Sequence, residues 1–171
     1  SLSGAIENIG GEINALTSKE YTMYWAKVPY TQWKVATNIL LDMCMNPLME
    51  SAEIDRERNV IHEELRMYTD HPSYQSELGI DELMFPEHPM GREIVGSHES
   101  LEGLKQSEIQ AYFYEHYNPS NLIITITGNF PEEELIQSIS GTTNSWIRSN
   151  SLINSVENIP NHIASRLVTY D

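Results

Sequence analysis

The sequence predicts one globular domain in which α-helices are mixed with β-structure, and three observations point there. Apolar residues recur at helical spacing along several stretches; a β-rich stretch with a polar centre runs from Glu12 to Val28; and Leu122 to Thr127 is a short apolar, β-branched run between turn residues. With 171 residues, 40% hydrophobic and 9% aromatic, the chain is long enough for one core and too short to need two. The expected unit is therefore a single domain over 1–171.

Taken in order, Leu2, Ala5, Ile6 and Ile9 keep helical spacing and stop at Gly10-Gly11, the usual chemistry of a helix end. Ile13 and Ala15 then alternate ahead of Thr17-Ser18-Lys19-Glu20, and Tyr21 to Val28 follows, which predicts a hairpin. Trp33, Ala36, Leu40 and Cys44 mark one face of a helix that must end before Pro47, since proline disfavours helical geometry at the residue preceding it. Ser51 is placed to cap a helix running to about Tyr68. Asp70-His71-Pro72 breaks the chain, and Ser73 to Met84 reads as helical. Two prolines and two glycines between Phe85 and Gly96 predict a shaped loop without regular structure. Ser107 with Gln110 suggests a capping box, opening a helix with the stripe Ile109, Tyr112, Phe113, His116 and Tyr117. Leu122 to Thr127 should be a well-buried strand, and Glu132 to Ile139 a short helix. The Ser/Asn-rich stretch 141–161 reads as a loop or linker before a last strand near Arg166 to Tyr170.

Charge and cysteine usage exclude several functions. Ten Lys and Arg against 25 Asp and Glu give a net charge of -15, which repels phosphate backbones and anionic lipid, so neither nucleic acid nor a membrane surface is an expected partner. The single cysteine, Cys44, lies in an apolar run and offers no disulfide framework, which favours a reducing, cytoplasmic setting. No stretch approaches the ~18 uninterrupted apolar residues of a membrane span. Gly91 and Gly96 lack the strand-then-helix context of a phosphate loop, and Ser, His and Asp occur at no spacing that suggests a nucleophilic triad.

The most informative segment is Ser51 to Tyr68. At about 100° per residue, Leu65, Ile54, Ile61, Tyr68, Val60 and Met67 fall within an arc of roughly 160°. Asp55, Arg56, Arg58, Asn59, His62, Glu63 and Arg66 occupy the opposite arc, which makes His62 and Glu63 solvated surface. Glu57 and Glu64 instead fall inside the apolar arc, one nearly above the other, since seven residues is close to two turns. Two carboxylates facing inward are expected to meet something positive or rich in donors, either basic side chains and backbone amides or a metal ion.

These residues carry a resemblance. Glu57-Arg58-Asn59-Val60-Ile61-His62-Glu63-Glu64 is similar to the downstream zinc-ligand helix of the insulinase/pitrilysin family of metallopeptidases, which includes the mitochondrial processing peptidases. The resemblance makes Glu64 the metal ligand and Glu57 its supporting carboxylate. Gly10 to Ser18 resembles the family's substrate-binding edge strand, so Asn14, Ala15 and Thr17 are the implied substrate contacts. Asp70-His71-Pro72, His88-Pro89-Met90-Gly91-Arg92 with Gly96, and His116-Tyr117-Asn118-Pro119-Ser120-Asn121 match in type and order. The implied fold is α+β, an antiparallel sheet with helices packed on one face, here a partial half-domain truncated at both ends.

The departure from the family pattern is specific. Its His-x-x-Glu-His helix, which supplies two zinc ligands and the base, should lie about 75 residues before Glu64, upstream of Ser1. None of the six histidines forms that motif. The resemblance thus implies part of a zinc-dependent metalloendopeptidase that takes peptides or unfolded polypeptide as an added β-strand, with the stretch itself inactive and holding zinc weakly or not at all. A second half-domain or subunit of the same family is the implied partner, and open sheet edges would allow a homo-oligomer. The rival from another class is a non-catalytic family member that uses the same groove to bind or assemble. Tyr21, Tyr24, Trp25 and Tyr30 fit either packing or a peptide groove, and His116 is expected to be a hydrogen-bonded core residue.

Overall fold

A computed structural model describes residues 2–146. These residues gather into two compact units: 2–17, 21–48 and 109–146 form the first, 18–20 and 49–108 the second. The class is α+β with helix dominant.

In the first unit, α1 (Leu2–Glu7) ends at the predicted glycines. Gly10 takes φ of 75°, and the amides of Gly10 and Gly11 donate to the carbonyls of Glu7 and Ile6 at 2.9 and 3.0 Å, satisfying groups that a helix end leaves open. Gly11 is required for a second reason. A Cβ there would lie 2.7 Å from Val28 Cγ1 and 2.9 Å from both Ile6 Cγ2 and the Lys27 carbonyl oxygen. The hairpin follows as β1 (Glu12–Thr17) and β2 (Thr22–Lys27), antiparallel, with Asn14 opposite Trp25 and Ala15 opposite Tyr24. Among the described residues these two strands are the whole sheet.

A short 3-10 turn, Tyr30–Gln32, leads into α2 (Trp33–Met45), which packs against α1, β2 and α7 (Glu132–Thr143). Its inward residues Ala36, Leu41 and Cys44 join Ile6 and Leu135 in a small core, and burial pushes the Cys44 thiol pKa up. The helix stops one residue short of Asn46, whose amide donates to the Asp42 carbonyl at 2.8 Å just ahead of Pro47.

In the second unit, α3 (Ser51–Thr69) and α4 (Pro72–Met84) pack together, and α3 also packs on α5 (His98–Gly103). Pro72 opens α4 from the first-turn position, where its missing N–H costs nothing. In the 85–96 loop a 3-10 turn, Pro89–Gly91, forms where no regular element was expected. A Cβ at Gly91 would sit 2.3 Å from the Phe85 carbonyl oxygen, so the turn closes only around glycine.

Four further expectations are corrected. Ser51 is the first helical residue of α3 and Glu50 occupies the cap position without a side-chain bond. The start of α6 (Gln106–His116) is held by Glu108, whose carboxylate accepts from the Lys105 amide at 2.7 Å, in place of a Ser107–Gln110 box. Helix α5 has no apolar stripe to announce it; a reciprocal pair opens it, Ser100 N to Ser97 Oγ at 3.1 Å and Ser97 N to Ser100 Oγ at 2.9 Å. Leu122 to Thr127 forms no strand, because no neighbouring segment among the described residues offers it a ladder, and Ile123 is 91% exposed. Helix α7 claims 141–143 from the expected linker; the rest of that stretch beyond Trp146, and the strand near Arg166 to Tyr170, lie outside the described residues.

Candidate metal-ligand helix and peptide strand

Helix α3 carries Glu57 and Glu64 on one side, about 10 Å apart along the axis at 1.5 Å per residue. Both are exposed, which overturns the expectation that they turn inward. The physical reason is on the same helix: of its 19 residues only Leu65 is buried, while Val60 and Met67, which share the acids' side, are 48% and 60% exposed. A wheel shows which residues share an arc, but only one edge of this arc is covered: Ile54, Ile61 and Tyr68 are half-buried beside Leu65, while the acids lie toward the open edge with Val60 and Met67. A carboxylate left in water carries no desolvation cost, and neither acid makes a hydrogen bond or an ion pair among the described residues.

The other side of α3 is where polar groups are withdrawn from water, again against expectation. His62, read as solvated surface, is half-buried: its Nδ1 lies 2.6 Å from Nδ1 of His98 on α5. The ring centroids are 4.8 Å apart and the planes differ by 11°, so the imidazoles meet edge to edge, with one N–H donating to the other's lone pair. Among the described residues the buried His62 Nε2 has no hydrogen-bond partner, with a Glu102 carboxylate oxygen 3.9 Å away. Arg58 reaches across to α5 as well, donating to the carbonyls of Leu101 and, at 2.9 Å, Leu104. Glu63 is exposed, as predicted, and pairs with Arg66.

The other sequence-derived candidates lie on β1. Asn14, Ala15 and Thr17 are all exposed, and the Ala15 amide donates to Asn14 Oδ1 at 2.8 Å. Strand β1 pairs with β2 along one edge and has no strand on the other among the described residues. Of the aromatic residues, Tyr24 is half-buried and its hydroxyl meets that of Tyr117 at 2.8 Å, while Tyr21 and Tyr30 remain exposed. His116 is half-buried against Tyr112, with ring centroids 4.1 Å apart.

As a donor set for zinc, these residues supply one corner. An exposed carboxylate without a partner is a suitable oxygen ligand, but a zinc site needs three or four protein ligands. Among the described residues no three His, Cys, Asp or Glu side chains are grouped to hold a metal ion. No helix among them is long and apolar enough to cross a membrane.

Comparison with known proteins supplies the class. Residues 1–98, more than half of the chain, match the profile of the insulinase family, peptidase family M16. The chain belongs to that family. It is 31% identical over 138 residues to an uncharacterized zinc protease of Streptomyces coelicolor, covering 81% of this chain and 30% of that protein. It is 36% identical over 133 residues to the beta subunit of the mitochondrial-processing peptidase of Blastocladiella emersonii, covering 76% of this chain and 28% of that one. In fold it superposes on a protease from Helicobacter pylori with a TM-score of 0.81 at 18% identity, over 94% of this chain and 38% of the other. The chain thus spans about a third of the length of the relatives it matches.

Proposed function

We propose that these residues are part of a zinc metalloendopeptidase in which Glu64 is a metal ligand, Glu57 orients it, and the peptide adds to β1 beside Asn14, Ala15 and Thr17. The observation that carries this reading is that one unbroken helix presents both acids on the same side, neither engaged with any described residue, so their oxygens are available to an ion. The order of motifs resembles that of the family whose profile matches residues 1–98, and this supports reading Glu64 as the ligand. Zinc, when bound, polarises a water and the scissile carbonyl.

The chain's own residues hold and align. Glu64 donates a carboxylate oxygen; Glu57, two turns earlier, accepts hydrogen bonds from groups around the ligand shell and fixes their orientation. The open edge of β1 provides main-chain amides and carbonyls for an extended peptide, and Asn14 adds a side-chain amide there. A net charge of -15 favours peptides that are neutral or cationic. The remaining ligands and the general base come from a His-x-x-Glu-His helix upstream of Ser1, and this stretch by itself hydrolyses nothing. A second half-domain or subunit of the same family is the partner.

The test is made on the natural full-length protein. It should contain stoichiometric zinc by elemental analysis and cleave an unstructured peptide, and Glu64→Gln should remove both. Full zinc content and turnover in that variant, or a gene with no His-x-x-Glu-His upstream, would leave the rival reading, a non-catalytic binding or assembly module.

A further inference from the structure

Helix α3 is an unusual support for a metal ligand. A helix normally has its rotation fixed by the apolar stripe it buries; here that stripe is thin, with Leu65 buried and Ile54, Ile61 and Tyr68 only half-buried. Polar ties add to that stripe in fixing its orientation. At its start, Gln106 Nε2 donates to the carbonyl of Met49, a residue held at φ of 49° just before the helix. At its end, Tyr68 stacks on Tyr74 with centroids 4.6 Å apart, and Gln75 Nε2 donates to the Tyr68 carbonyl at 3.3 Å. The stretch between, which carries Glu57 and Glu64, is tied through polar contacts to α5.

Of those contacts Arg58 is the principal one. Its side chain is 21% exposed, against 69% and 64% for Arg56 and Arg66 on the same helix, whose partners are glutamates one turn away. Besides an Asp55 carboxylate oxygen 3.8 Å away on its own helix, Arg58 donates to two separate carbonyls at the C-terminal end of α5, where the helix dipole attracts a cation. A planar fork reaching two acceptors fixes rotation as well as distance, which a single-point ammonium cannot do. Arg58 and His62 are four residues apart and so lie on one face, roughly 100–140° around the helix from Glu57.

We propose that Arg58 is the positioning residue for the acidic side of α3: by clasping the end of α5 it sets the helix rotation, and with it the direction in which Glu57 and Glu64 point. This rests on the reading of Glu64 as a zinc ligand. Arg58 itself touches neither metal nor peptide.

The experiment uses the natural full-length protein with Arg58→Lys, Arg58→Ala, Glu64→Gln and, as a surface control, Arg56→Ala. Zinc affinity is measured by competition with a chromophoric chelator, kcat and KM on an unstructured peptide, and amide exchange across 98–104. Both Arg58 variants should bind zinc about tenfold more weakly. They should also lose kcat at little changed KM and lose exchange protection in α5; Arg56→Ala should match the parent. Arg58→Lys guards against mere unfolding, since it keeps the charge and the stem. Parental zinc affinity in both Arg58 variants, while Glu64→Gln loses zinc, overturns the positioning role and leaves the peptidase reading standing. Undiminished zinc binding in Glu64→Gln overturns the ligand assignment and the positioning role with it.

Discussion

The hydroxyl of Tyr24 on β2 and that of Tyr117 at the end of α6 meet at 2.8 Å, and the Tyr117 ring lies on Phe113 with centroids 4.4 Å apart. Tyr24 is also the register partner of Ala15, so this bond supports the hairpin directly behind the candidate peptide strand. Each of Tyr24→Phe and Tyr117→Phe should cost about 1 kcal/mol, and the double variant should cost less than their sum because both remove the same bond. Urea unfolding of the three variants measures the coupling, and strict additivity would mean that the two hydroxyls do not interact.

Tyrosine ionisation offers a pH test. Burial, followed by the hydrogen bond to Glu93 at 3.0 Å, raises the Tyr74 pKa to about 12, and burial with the Tyr24 bond pushes Tyr117 up as well. A raised pKa in the folded state means that the folded protein retains these protons after the unfolded chain has released them. The stabilisation is complete below pH ~10 and is lost as pH rises through the folded values. Absorbance at ~295 nm should show intensity that appears only at high pH, with Tyr74→Phe and Tyr117→Phe each removing part of that late-titrating intensity. An early loss of amplitude in either variant would contradict the assignment.

Leu65 is the apolar anchor of α3 at 4% exposure. Leu65→Ala should destabilise the protein by roughly 2–5 kcal/mol. Val60→Ala and Met67→Ala, on the open side, should each stay within about 0.5 kcal/mol. Comparable losses for all three in denaturant titrations would show that something covers the side on which Glu57 and Glu64 lie.

Gly91 closes its turn with a backbone carbonyl in the place a side chain would need. Gly91→Ala should cost on the order of 1–3 kcal/mol, since a carbonyl cannot rotate away as a side chain can. Thermal unfolding reads this directly, and an unchanged midpoint would mean that the loop opens freely.

Local chemistry was legible where a residue type forbids alternatives. Gly10-Gly11 ends α1, Pro47 bounds α2, Pro72 opens α4, and the hairpin falls where alternation flanks Thr17 to Glu20. What failed was everything that depends on a neighbour. Glu57 and Glu64 were correctly assigned to one side of α3, but periodicity cannot say whether that side is covered. Leu122 to Thr127 has the composition of a strand and finds no ladder among the described residues. His62 looked like surface because its partner, His98, sits on a six-residue helix with no stripe to betray it. The Ser97–Ser100 pair was the one local signal that could have located α5. The candidate ligand and peptide strand came from motif order, and both lie within residues 1–98, the span that matches the family profile.

The slot at Gly11 acts as an index mark for the strand that follows. Sliding β1 by one residue would push Glu12 against Val28, Ile6 and the Lys27 carbonyl, where no side chain can be housed, so the misaligned pairing is barred at its first rung. Because such a slip would also exchange the faces of Asn14 and Ala15, a residue with no side chain decides which of the two looks up and which looks down.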